Sequence, residues 1–287
     1  MPFGAAAETE SGTETPLFFG ADGRRKFAVL HTPRPAPGAG APIVVCAPHF
    51  EEKLWAHRVL VAAAREASRR GHPTLRFDAS GHGDSEGEFE DFGLEDFLED
   101  TVEAWRWLRD RDGRDPVLFG WRLGATAAAV ASARLAARAV LVEPLLDPSG
   151  WLLEMLRGNL TFQIRHYGRV TKNRNELVAE LAAGRTVVLD GYGLTPRFHR
   201  EAADAAGWAD SAFPGRCPAV LSIALRRRGM PTPPGLAEAS ARWAGTTRAT
   251  YLESDEEPVW SDVRRYRTSA PGPVAAALDW IAAQEAP

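Results

Sequence analysis

The chain has 287 residues, enough for one large domain or two small ones and for a core that needs no covalent staples. Hydrophobic residues make up 45% and charged residues 25%, and 34 basic against 38 acidic side chains leave a net charge of −4. That balance argues against nucleic-acid or membrane partners, and two cysteines, Cys46 and Cys217, exclude a disulfide framework or a CxxC zinc site. The longest nearly uncharged helical stretch, Ala125 to Ala133, falls well short of the ~20 residues that span a bilayer. With no basic start and apolar run of a secretory signal, the expected location is the cytoplasm.

Residues 1–15 are small and polar and are expected to form a disordered leader. Pro16–Gly20, a turn at Ala21–Gly23 and Lys26–His31 then read as a β-hairpin. After a proline-rich loop from Pro33 to Pro42 the rhythm changes. Short apolar runs at Ile43–Cys46, Thr74–Phe77, Val117–Phe119, Ala139–Val142, Ala219–Ala224 and Ala249–Leu252 predict strands. Helices are predicted between the first four, over Leu54–Arg70, Leu94–Arg109 and Ala125–Ala137. The pattern predicts an α/β architecture, a mostly parallel central sheet flanked by helices.

In Leu94–Leu108 the apolar residues fall at Leu94, Phe97, Leu98, Val102, Trp105 and Leu108, one helical face. Ten acidic residues lie between Asp84 and Glu103 without a basic one, which reads as a solvated face rather than a docking surface. The Ala-rich helix that follows can lie close against a sheet. About 148–214, between the fourth strand and the fifth, forms an insertion with an apolar helix at Trp151–Leu156 and a strand and turn in Thr186–Gly193. It is expected to cap the sheet's C-terminal edge, where open α/β sheets bind ligands.

Two glycines, Gly120 and Gly124, flank Arg122 between a strand and a small-residue helix. This is the frame of a nucleophile elbow, G-x-S-x-G, whose tip residue is strained and crowded. Upstream, Asp78-Ala-Ser-Gly-His-Gly-Asp-Ser forms a glycine-rich turn in which Ser80, His82 and Ser85 bond to backbone. His49, Phe50, Glu51 and Glu52 follow the first core strand. Cys46 and Cys217 read as core residues, and His57, His166 and His199 lack metal-ligand spacing. No metal and no cofactor is expected.

These segments together resemble α/β-hydrolase-fold proteins of the type called exosortase A system-associated hydrolase, type 2. The resemblance runs from about Pro16 to Ala283 and includes FFGADGRRKFAVLH, PHFEE, GHGDSEGEF, GWRLGA, ELVAELAAGRTVVLDGYGLTP and EEPVW. It implies a single α/β-hydrolase-fold domain over 16–287 and ester, thioester or amide hydrolysis. It also implies backbone N–H groups of Phe50 and Leu123 as an oxyanion hole.

The implied triad is not carried by the residues. The nucleophile position is Arg122, which cannot attack a carbonyl. No carboxylate stands in Leu225–Pro231, where the acid is expected, and no histidine follows His199. Arg122, Glu51, Glu52 and His49 are left as the candidate site. In one reading Arg122 is a half-buried partner of Glu51 or Glu52 in a fold that binds or scaffolds without catalysis. In the other it meets an anionic small molecule, acyl or acidic, and a glutamate or His49 serves as acid or base.

Overall fold

Four consecutive apolar residues, Ile43–Cys46, form a strand buried along its whole length at the centre of the sheet, as a strand covered on both faces requires. The computed structural model describes residues 5–34, 40–211, 213, 215–226, 235–260 and 267–285. In chain order the strands and helices are β1 (Ala7–Thr9), β2 (Gly12–Phe19), β3 (Lys26–Pro33), β4 (Ile43–Cys46), α1 (Phe50–Arg69) and β5 (Thr74–Phe77). Then come α2 (Leu94–Asp112), β6 (Val117–Trp121), α3 (Leu123–Leu135) and β7 (Ala139–Val142). The insertion holds α4 (Pro148–Tyr167), α5 (Arg174–Ala182), β8 (Val187–Leu189), β9 (Tyr192–Leu194), α6 (Pro196–Asp204) and α7 (Trp208–Ser211). The chain closes with β10 (Ala219–Leu225), α8 (Leu236–Trp243), β11 (Arg248–Ser254) and α9 (Pro271–Ala283).

Among the described residues nine strands share one sheet, in the order β1-β2-β3-β5-β4-β6-β7-β10-β11. From β5 to β11 every pairing is parallel, and β1, β2 and β3 add an antiparallel edge. Alternation along each strand splits the core into two layers. Ile43, Val45, Val117 and Phe119 meet α1 and α9, while Val44, Cys46 and Leu118 meet α2 and α3. The predicted strands and helices are present, most with ends within a few residues of expectation; α1 starts four residues earlier, at Phe50.

Two expectations are corrected. From Ala7 the leader is not disordered: β1 and the first half of β2 pair as strands, and Arg65 of α1 donates to Glu14. Small polar residues bury little, yet backbone pairing with β3 and this ion pair order them. Nor is the acidic stretch only a solvated face. Asp100 is 1% exposed and accepts from the backbone N–H of Ser80 at 2.7 Å, with Lys26, itself 1% exposed, at 3.3 Å. Asp96 pairs with Arg197 and Glu99 with Arg134. The hairpin thus supplies the cation that a buried carboxylate on α2 requires.

In the insertion, Thr186–Gly193 contains two strands rather than one. The Asp190-Gly191 turn, both residues at positive φ, folds β9 back on β8. The predicted apolar helix extends to 20 residues, capped by Asp147, whose carboxylate accepts from the Gly150 N–H. The prolines at 35 and 37 of the predicted loop, and most of the segment expected to hold the triad acid, lie outside the described residues.

Asp100 holds more of this network than Lys26 does: without it Lys26 keeps Glu103, but the Ser80 N–H and hydroxyl lose their buried acceptor. Asp100→Ala is expected to cost about 3–5 kcal/mol in urea unfolding. Lys26→Met costs less, because Asp100 keeps Arg24 and the Ser80 donors. Equal losses in the two variants would refute this assignment.

Candidate functional site

The elbow is built by close approach. A Cβ on Gly120 would lie 2.4 Å from the Ala125 Cα, and one on Gly124 would lie 2.3 Å from the carbonyl oxygens of Cys46 and Ala47. Only glycine fits at either position. Between them Arg122 takes φ 54°, ψ −123°, a strained conformation for a residue with a side chain. Its N–H donates to the Val142 carbonyl at 3.0 Å, and its own carbonyl accepts from Ala125 and Thr126. The tip is therefore fixed from both sides.

The Arg122 guanidinium reaches Glu52 on the first turn of α1. Nε donates to the carboxylate at 3.2 and 3.3 Å and Nη2 at 3.1 Å. The Trp151 indole N–H, from α4, donates to the same carboxylate at 3.2 Å. Trp260, in the loop after β11 where a triad histidine was sought, lays its ring 5.1 Å from the guanidinium carbon. Both members of the pair are largely buried, the Arg122 side chain 17% and Glu52 13% exposed. Trp121, fully buried on the far layer, backs Trp260 at 6.4 Å.

Glu51 is not part of this pair. One residue along a helix turns the side chain by about 100°, and Glu51 instead faces Trp55 and Asp190. Burial, then the charge of Asp190, pushes its carboxyl above the usual range, and burial does the same to Asp190.

His49 also stands apart. Its ring stacks on Phe198 at 5.0 Å and on Phe89 at 5.6 Å, and touches His82 at 4.3 Å. Burial in this aromatic nest, with His82 and Lys53 nearby, holds it far below the usual histidine range and so neutral at physiological pH. Phe50 and Leu123 are the first residues of α1 and α3, and Phe50 sits at φ 50°. Burial drives both cysteine thiols upward, as inert core residues require. The turn residues take backbone roles: His82 Nδ1–H donates to the Ser80 carbonyl and Ser85 Oγ to Asp78.

Sequence reasoning missed Trp151, Trp260 and Glu143. Glu143, at φ 48° after β7, accepts from the Leu225 N–H and caps β10. Trp260 lies in the EEPVW segment, but nothing local signals the residue it covers. Among the described residues no three His, Cys, Asp or Glu side chains form a group that could hold a metal. No described helix is long and apolar enough to cross a membrane.

A family model described as "Alpha/beta hydrolase family" matches residues 27–283. The chain belongs to the alpha/beta hydrolase family. Solved structures of similar fold include Est1E from Butyrivibrio proteoclasticus with ferulic acid bound, TM-score 0.57 at 17% identity, covering 92% of this chain and 96% of that one. The enol-lactonase from Burkholderia xenovorans aligns with TM-score 0.53 at 19% identity, over 93% and 98%. A hypothetical protein from Pseudomonas aeruginosa gives 0.57 at 15%, over 96% and 95%. A search of curated proteins gives no match. At these identities the likeness to alpha/beta hydrolases of known structure is one of fold.

Adjacent glutamates should respond in opposite directions. Glu52→Gln or Arg122→Met strands a largely buried charge and is expected to cost about 3 kcal/mol, read as a fall in melting temperature. Glu51→Gln should raise it at pH 7. A carboxyl whose folded pKa is raised binds its proton more tightly when folded, so its contribution is most favourable at low pH and falls as pH rises through that value. The Glu51→Gln gain should therefore shrink towards pH 4. A gain independent of pH would contradict the charge explanation.

Proposed function

We propose that this member of the alpha/beta hydrolase family has a degenerate triad and binds a small acyl or acidic molecule without hydrolysing it. The observation that carries this reading is the guanidinium at the elbow tip, tied to Glu52 and covered by Trp151 and Trp260. A nucleophile needs a deprotonatable atom there and a base beside it, and the arrangement supplies a permanent cation and an indole. The residue motifs also support membership of the exosortase A system-associated type 2 group. They are consistent with a single domain whose insertion acts as a cap.

Ferulic acid bound to Est1E and the enol-lactonase activity named for the Burkholderia protein suggest the ligand scale, a small organic acid or its ester. A catalytic alternative would run through Glu51, whose raised pKa suits a proton carrier. It would use acid–base chemistry without an acyl-enzyme.

The test is covalent and kinetic. A fluorophosphonate probe should label no serine, and p-nitrophenyl esters should hydrolyse at the background rate. Arg122→Ser should not create an esterase, since a serine lacking its histidine gains little. Stoichiometric labelling of the wild type, or turnover abolished by Glu51→Gln, would overturn the non-catalytic reading.

A further inference from the structure

Beside the elbow, and not lined by Arg122, lies a cavity of about 350 Å³ between α1, the glycine turn after β5 and the β8–β9 hairpin. Its size suits a small organic ligand. Phe50, Phe89 and Tyr192 contribute aromatic walls, and Leu54 stands in the lining with 56% of its surface exposed. Four glycines, at 81, 83, 191 and 193, also line it.

One end of this cavity is charged. Lys53 and His57 line it and also line a smaller recess of about 20 Å³ that continues to Arg76 and Asp78. Lys53 pairs with Asp78 at 2.6 Å, which uses one of its three N–H donors. Arg76 donates to His31 and brings a second cation to the recess, where Glu14 and Asp78 act on it as counter-charges. His57 reports the local field. Burial lowers its pKa first, then Arg76; Lys53 and Arg58 add to this, and Asp78 alone opposes them. Glu90, the other carboxylate in the lining, sits with its side chain against Gly193, on the hairpin.

We propose that this cavity, rather than the elbow, is the ligand site, and that it takes an amphipathic monocarboxylate. The acid's carboxylate lies at Lys53, His57 and the mouth of the Arg76 recess, and its apolar body lies along Leu54, Phe89 and Tyr192. The volume fits a body on the order of ten heavy atoms. The inference rests on the binding role proposed above and names its ligand class. In that role Arg122 is a structural cation, already paired with Glu52, and the anion goes to Lys53, which lines the cavity and gives Asp78 one of its three N–H donors.

The experiment is calorimetric titration of the intact protein with octanoate, octanamide and butyrate. Octanoate should bind at least about tenfold more tightly than octanamide, which lacks the charge, and than butyrate, which lacks the apolar body. His57→Glu, on the exposed face of α1, should abolish octanoate binding and leave the melting temperature near that of wild type. Lys53→Gln, which keeps a donor to Asp78, should weaken it severalfold. Equal affinities for octanoate and octanamide, or no binding of either by wild type, would overturn the proposal. So would octanoate binding that survives His57→Glu but is lost in Arg122→Met, since the anion would then sit at the elbow. Ester turnover in the assay above would sink the non-catalytic reading and leave these titrations standing.

Discussion

A residue between Gly120 and Gly124 has little choice of direction. Its backbone is held at φ 54°, its N–H is taken by β7 and its carbonyl by the first turn of α3, so the side chain must leave over the end of the sheet. For a serine that direction offers an oxygen to a substrate. An arginine carries a charge across several ångströms, and wherever that charge comes to rest needs an anion and little water. Glu52 meets the first need, and the indoles of Trp151 and Trp260 meet the second. Three separate parts of the chain, α1, the insertion and the loop after β11, are thereby drawn to one point.

A pair of this kind is a weak source of net stability, because the cost of drying both ions offsets most of their attraction. Its effect lies in what it forbids. Glu52 is committed to Arg122 and Trp151, and His49 is neutral inside an aromatic nest. The adjacent Glu51 stays outside the pair and faces Asp190 and Trp55 instead. Two glutamates one residue apart are thus separated by the helix turn alone.

Much of the architecture is legible in the sequence because its signals are local. Short apolar runs such as Ile43–Cys46 and Ala139–Val142, bounded by turns and spaced by helices, mark their strands, and the period of Leu94–Leu108 marks the buried face of α2. The elbow frame is legible too, since its two glycines answer a steric demand. The choice of Glu52 over Glu51 is not, because it depends on where α1 begins, and that start at Phe50 lies four residues before the apolar pattern shows it. Trp260 over Arg122 joins residues 138 positions apart in the chain (260 − 122) and has no local signature. β1 and the first half of β2 are illegible for a related reason: they are held by backbone pairing and one arginine, whereas composition registers burial.

Two of the contacts between the insertion and the rest of the protein are unlike in kind. At one, the Trp208 indole N–H donates to the Leu145 carbonyl in a buried setting. At the other, α6 rests on α2 through Arg197 with Asp96 and Glu201 with the Glu95 N–H, an exposed and ionic contact. Dissolved salt screens such contacts over about 8 Å at physiological strength and over less as concentration rises, while leaving apolar burial intact. Rising ionic strength therefore weakens the charged outer face of α6 and spares its inner one, where Phe198 stacks on His49. The insertion stays seated through Phe198 and Trp208 while its ionic fringe loosens.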